Sequence, residues 1–258
     1  MLLRRITEHV KSQNWFAVWL DFIIVVVGVF FGIQIGNWNA SRLDDQAYEQ
    51  AYDRMVLEAQ TNIALAQDAV EQFSPVLNNF RNAVEDLRSC HNDVEAKARV
   101  NDAVQVLSGT FAVQLHNSAI TQLTTSERLL ERQSTEQIER FARYARSINT
   151  AISWSGKVLD KMENRSDDLH SFIDHGPFRE HMEFNRSARP LMLTVPLDEA
   201  CQDHGFRKMF YQWEGGHTYQ VNLFTTFVEL TQDYLKDIGE ETTLPDTIDR
   251  NNRPGESE

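Results

Sequence analysis

Residues 16–36 read FAVWLDFIIVVVGVFFGIQIG, the one long apolar stretch of the chain. Fourteen of these 21 residues are Leu, Ile, Val or Phe. A membrane helix needs about 20 mostly apolar residues to cross about 30 Å of hydrocarbon. Each aliphatic or Phe residue near the centre favours insertion by roughly 0.3–0.6 kcal/mol, so the segment favours it by several. Asp21 opposes insertion, but it lies near one end, where its carboxylate reaches the headgroups. Trp15, Trp19 and Trp38 flank the stretch, as interfacial aromatics do.

The uninterrupted apolar run, Phe22 to Ile33, has the length of a signal-peptide core. Cleavage would require small residues at −3 and −1. A cut after Ala40 puts Trp38 at −3, and one after Gly36 puts Gln34 there. The expectation is therefore an uncleaved signal anchor over residues 15–38. Arg4, Arg5 and Lys11 precede it, while Arg42, Asp44, Asp45, Glu49 and Asp53 follow. The positive-inside rule places residues 1–14 in the cytoplasm and the remainder outside. In a bacterium this is a single-pass inner-membrane protein with a periplasmic domain, since no later segment is apolar enough to cross again.

Composition narrows the classes further. A net charge of −13 leaves no basic face for nucleic-acid phosphates. Only 11 Gly and 6 Pro in 258 residues suit long helices rather than many short strands. The expected fold is all-α: the transmembrane helix continues into a bundle of four or five helices over 39–238. An acidic tail, 239–258, carries too few apolar residues to offset its ordering entropy and is expected to be disordered. Cys90 and Cys201, 111 positions apart, lie outside the cytoplasm in this arrangement, where a disulfide persists. They form a candidate bond, with two free thiols as the alternative.

Residues 44–73 carry a heptad-like stripe of Tyr48, Tyr52, Met55, Ala59, Asn62, Ala66, Ala69 and Phe73. No linker separates this helix from the span, so the two are expected to form one rod. Ser74–Pro75 predicts a kink or restart, because an interior proline loses a hydrogen bond and clashes with the preceding turn. Helices are expected over about 94–107 and 112–132. Ser134-Thr-Glu-Gln137 has the form of a capping box opening a further helix to about His170. Arg189–Val195 reads as extended. Gly215–Gly216 reads as a turn before a last helix, about 218–238.

The stretch Asp21-FIIVVVGVFFGIQIGNWNASR resembles the signature of a family of uncharacterised bacterial single-span membrane proteins, a domain of unknown function. In that family an acidic residue opens the span, a glycine sits inside it, and the exit reads Leu-Gln-Ile-Asn-Asn-Trp-Asn. Asp21, Gly28, Gln34, Ile35, Asn37, Trp38 and Asn39 fall on matching positions, whereas Gly32 and Gly36 depart from Ala and Asn. A looser match runs from Ile120 to Leu130 and into the helix after Ser134. The resemblance covers the first 60 residues well and 115–150 loosely. It implies membrane location and a helical outer domain, and brings no catalytic residues.

Gly28, Gly32 and Gly36 form a GxxxGxxxG pattern that allows helices to pack closely in lipid. At about 100° per residue, Asp21, Val25, Gly28, Gly32 and Asn39 share one broad face. An ionisable residue on such a face marks a functional hypothesis. The partner through the glycine face is a second copy or another membrane protein. Because two Asp21 carboxylates would repel, Asp21 is expected to meet a basic or polar group of a different membrane protein, or else to sit at headgroup level with no specific role. Gln34, Asn37, Trp38 and Asn39 mark the membrane exit, either as interfacial anchors or as a polar collar. His170, His175 and His181 cluster with Asp174 and Glu180, but spacings of five and six across Gly176–Pro177 do not put them on one helical face, so no metal is expected. His91, His204 and His217 read as solvent-facing or capping residues. No GxSxG, HExxH, P-loop or GxGxxG pattern occurs, and neither an enzyme nor a cofactor is expected.

Overall fold

The computed structural model describes residues 15–107, 113–166, 169–178 and 189–243. Among them it is all-α, apart from one small ribbon. Helix α1 (Trp15–Ser89) is 75 residues long and is the axis of the molecule. It is followed by α2 (Val94–Val106), α3 (Ser118–Thr125), α4 (Glu127–Leu130), α5 (Thr135–Ser166), strands β1 (Ile173–His175) and β2 (Leu191–Leu193), α6 (Leu197–Ala200) and α7 (His204–Asp237). The ribbon is antiparallel, with Ile173 opposite Leu193 and His175 opposite Leu191. Residues 1–14 and 244–258, assigned above to a cytoplasmic segment and most of the tail, lie outside the described residues, as does His181.

Span and rod are one helix, as the absence of a linker predicts. At 1.5 Å per residue, α1 is about 110 Å long. It does not restart at Pro75. Phe73 packs on Trp213 and His217, and Leu77 and Phe80 are buried against the same neighbouring helix, so packing on both sides of the proline holds the axis.

That neighbour is α7, which runs antiparallel to α1. Phe80 stacks on Phe210 near the far end (5.1 Å), whereas Tyr234 donates to Met55 Sδ near the base (3.6 Å). Helix α5 runs parallel to α1, with Phe141 near Tyr52 (6.3 Å), Tyr144 stacked on Tyr234 (4.5 Å) and Trp154 near Tyr219 (5.9 Å). Two cores result. The lower one gathers Met55, Ala59, Ile63, Ile120, Leu123, Phe141, Ile148, Phe224 and Leu235. The upper one gathers Leu77, Phe80, Leu87, Val100, Ile173, Leu197, Phe206, Phe210 and Trp213. The alanines of α1 at Ala51, Ala59 and Ala66 are fully buried, which lets α3 and α7 pack close, and α5 lies against those two helices.

Local chemistry sets the helix starts. Ser134 Oγ accepts from Gln137 N–H and Gln137 Oε1 accepts from Ser134 N–H, the reciprocal capping box. Asp93 and Asp203 each cap a helix by accepting from Ala96 and Phe206 N–H (both 2.7 Å).

Besides the restart at Pro75, three expectations about local structure fail. The proposed helix over 112–132 is instead a non-helical approach at 113–117 followed by α3 and α4. Asn62 explains it, since its side chain accepts from His116 N–H and donates to His116 O (both 2.7 Å), satisfying that backbone outside a helix. Gly215–Gly216 is not a turn, because α7 runs through it. Two helical glycines cost roughly 1 kcal/mol each, but Phe206, Phe210, Trp213, His217, Gln220 and Phe224 form one buried stripe across them. Finally, the first tail residues are held. Tyr52 Oη donates to Glu240 Oε1 (3.0 Å) and Gln60 Nε2 to Glu241 O (2.9 Å), which ties these residues to α1.

Candidate functional site

The span and exit candidates fall on the lower part of α1, and the cysteines at its upper end and after α6. The lower end is bare. Asp21, Gly28, Gly32, Gln34, Gly36, Asn37, Trp38 and Asn39 are all exposed, and no other part of the described chain covers residues 18–40. A Cβ added at Gly28, Gly32 or Gly36 would meet nothing within 4 Å. The exposed Phe22, Ile24, Val25, Val29, Phe30, Phe31, Ile33 and Ile35 make this helix apolar all round, as lipid-facing helices are. This part of α1 is long and apolar enough to cross a membrane.

Just past the bare segment, an ionic clamp ties α1 to α4. Arg128 Nε donates to Asp44 Oδ1 (2.8 Å), and Arg132 reaches Asp44 and Asp45 (3.7 and 3.2 Å). Asp44 is six residues past Trp38, so the bundle begins about 9 Å along the helix axis from Trp38.

A polar lock follows. Glu58 accepts from Ala119 N–H (2.9 Å) and from the Ser118 hydroxyl, capping α3 from a different helix. Burial raises the Tyr144 phenol well above its usual range. The sequence reading missed this cluster. The only signal for it was Asn62 interrupting an apolar stripe.

Where the two cores meet, His217 is fully buried rather than solvent-facing. Its ring stacks between Phe73 (4.9 Å) and Trp213 (3.8 Å). Nδ1 lies 3.0 Å from Trp213 O, which fixes the proton there, while Nε2 and the Trp213 indole N–H are buried with no partner. Burial pushes the His217 pKa down to about 4.

The upper end is cross-linked. Cys90 and Cys201 are disulfide-bonded, their Cα atoms 5.4 Å apart, and join the end of α1 to α6. Cys90 takes the left-handed conformation (φ 51°) that terminates a helix and normally belongs to glycine. Beside it, Arg99 donates to both oxygens of the buried Asp86 (2.7 and 3.0 Å). His170 and His175 do not converge: His170 Nε2 contacts Asp203 Oδ1 (3.2 Å), and His175 is exposed on β1. Among the described residues, no three His, Cys, Asp or Glu side chains come together to hold a metal.

No family model, curated protein or solved structure matches this chain.

Proposed function

We propose that this chain is a non-enzymatic, membrane-anchored scaffold or accessory subunit of a bacterial inner-membrane complex. Residues 1–14 lie in the cytoplasm and the bundle in the periplasm. The observation that carries the reading is the unbroken α1, which runs from the span to the disulfide. From Trp38 to Ser89 it rises about 75 Å, so it holds the cross-linked end at a fixed height above the bilayer. The −13 charge agrees with a domain that stands away from anionic lipid, and the bond suits an oxidising compartment. The glycine-bearing face of the span is the surface offered to a second copy or another membrane protein. The likeness of residues 21–42 to single-span membrane proteins adds to the same reading.

A C-terminally tagged chain purified in mild detergent is expected to retain other membrane proteins. Recovery of this chain alone would overturn the accessory-subunit role.

One observation favours a second reading, a periplasmic ligand-binding module that signals through a partner. His217 Nε2 and Trp213 Nε1 offer a buried acceptor and a buried donor, both unpaired. A small hydroxyl-bearing solute could satisfy them. It should raise the melting temperature of the native chain but not that of Trp213→Phe. Equal shifts in both would remove this reading.

A further inference from the structure

The bundle covers one side of α1 and leaves the other open, and the open side is in phase with the glycines. Stepping by three and four from Gly28 gives Gly32, Gly36, Asn39, Leu43, Gln46, Gln50, Arg54, Leu57, Thr61 and Leu65. Leu43, Leu57 and Leu65 on this stripe are large exposed apolar residues. The buried positions Ala51, Met55, Ala59, Asn62, Ile63 and Ala66 point roughly 150° away from the glycine direction. A helix packed on the glycines could therefore continue up the outer part of α1 clear of α5 and α7, with α3 bordering the stripe only at Arg54, which bonds Gln122 (2.7 Å).

We propose that the occupant of this face is a second copy of the chain, forming a parallel dimer along the open side of α1 from Val25 to Leu65. The inference rests on the membrane-anchored reading above and names its partner.

Three features select a second copy. First, both copies insert with the same orientation, so their stripes meet in register about a two-fold axis along the membrane normal, and the bundles lie on the outside. Second, the line of stripe residues is uncharged from Val25 to Leu65 except at Arg54, with the exposed Asp53 on its edge, in a chain of net charge −13. Arg54 is directed to Gln122 Oε1 (2.7 Å) and Gln50 O (3.2 Å). Like meets like here without the repulsion that the acidic surfaces would impose. Third, the contact is large enough. A stripe about 60 Å long on a helix about 10 Å across offers on the order of 600 Å² per partner, close to the ~800 Å² of a standard stable interface. Shared anchorage further raises the effective concentration. Asp21 lies on the same face and opposes the dimer, since two carboxylates approach at the cytoplasmic edge. Its removal should strengthen association.

The test uses the full-length chain in its native membranes, carrying a single added thiol and treated with a short bis-maleimide. Leu57→Cys is expected to cross-link to twice the chain mass, and Leu230→Cys, exposed on α7, is not. In the Leu57→Cys background, Gly32→Leu should lower the cross-linked fraction at least tenfold with helicity unchanged. Asp21→Asn should raise it several-fold. A Leu57→Cys product of any other mass, no product, or equal cross-linking from Leu230→Cys would overturn the second copy while leaving the anchor intact. Release of the chain from membranes by alkaline carbonate would instead overturn the anchored reading itself.

Discussion

His217 makes the acid stability of this protein calculable. Its folded pKa is depressed from 6.5 to about 4 by burial between Phe73 and Trp213. The neutral ring is the folded form, while the unfolded chain takes up a proton below pH 6.5. Stability from this group is therefore fully present above about pH 6.5. It is lost as pH falls and is gone by about pH 4, where both states carry the proton. A difference of about 2.5 units at 1.36 kcal/mol each comes to about 3 kcal/mol in total, of which about 2 kcal/mol is already lost at pH 5. For a domain of this size, that lowers the melting temperature by about 4–8 °C between pH 7 and 5. His217→Gln cannot titrate, so it isolates this group from the carboxylates. Melting followed by circular dichroism in detergent at pH 7, 6 and 5 supplies the comparison. The variant is expected to lose less temperature across the series than the native chain, by that same margin. Parallel losses in both proteins would refute the burial argument, whatever the variant's absolute stability.

Asn62→Ala leaves the His116 N–H and C=O unpaired in a partly buried site, and should cost about 2–4 kcal/mol in urea unfolding. Gly215→Ala should stabilise by roughly 0.5–1 kcal/mol, because a Cβ there meets nothing and α7 is helical; a loss would mean a turn. Reducing Cys90–Cys201 should lower stability by about 4–5 kcal/mol in the chain-entropy model, read from the denaturation midpoint with and without reductant. Phe80→Ala removes a fully buried ring stacked on Phe210 and Trp213 and should cost about 3–5 kcal/mol, measured in the same way.

Much of the architecture was legible from local patterns. The apolar span, the rod that continues it, the Ser134 capping box and the extended Arg189–Val195 segment each depend on neighbours within a few residues, and all are present. Cys90 and Cys201 were nominated by count and compartment alone, and the fold brings them together across 111 positions of sequence. The misreadings share a cause. Pro75 and Gly215–Gly216 are local helix breakers. Each is overridden by a partner on another helix, because Phe73 and Phe80 on α1 pack into Trp213 and His217 on α7. Asn62 looked like a flaw in a stripe until His116 came to meet it.

The sequence by itself determined that the chain carries a membrane-length helix with three glycines and an aspartate on one face, because a helical period of 3.6 residues is enough to place them. Which way that face looks relative to the domain was decided only by tertiary structure. The bundle could have packed on any side of α1. The alanines at 51, 59 and 66 drew α3 and α7 to the opposite side, because small side chains let the helices of the bundle approach closely there. The same long-range packing buried His217, which no local pattern distinguished from a surface histidine.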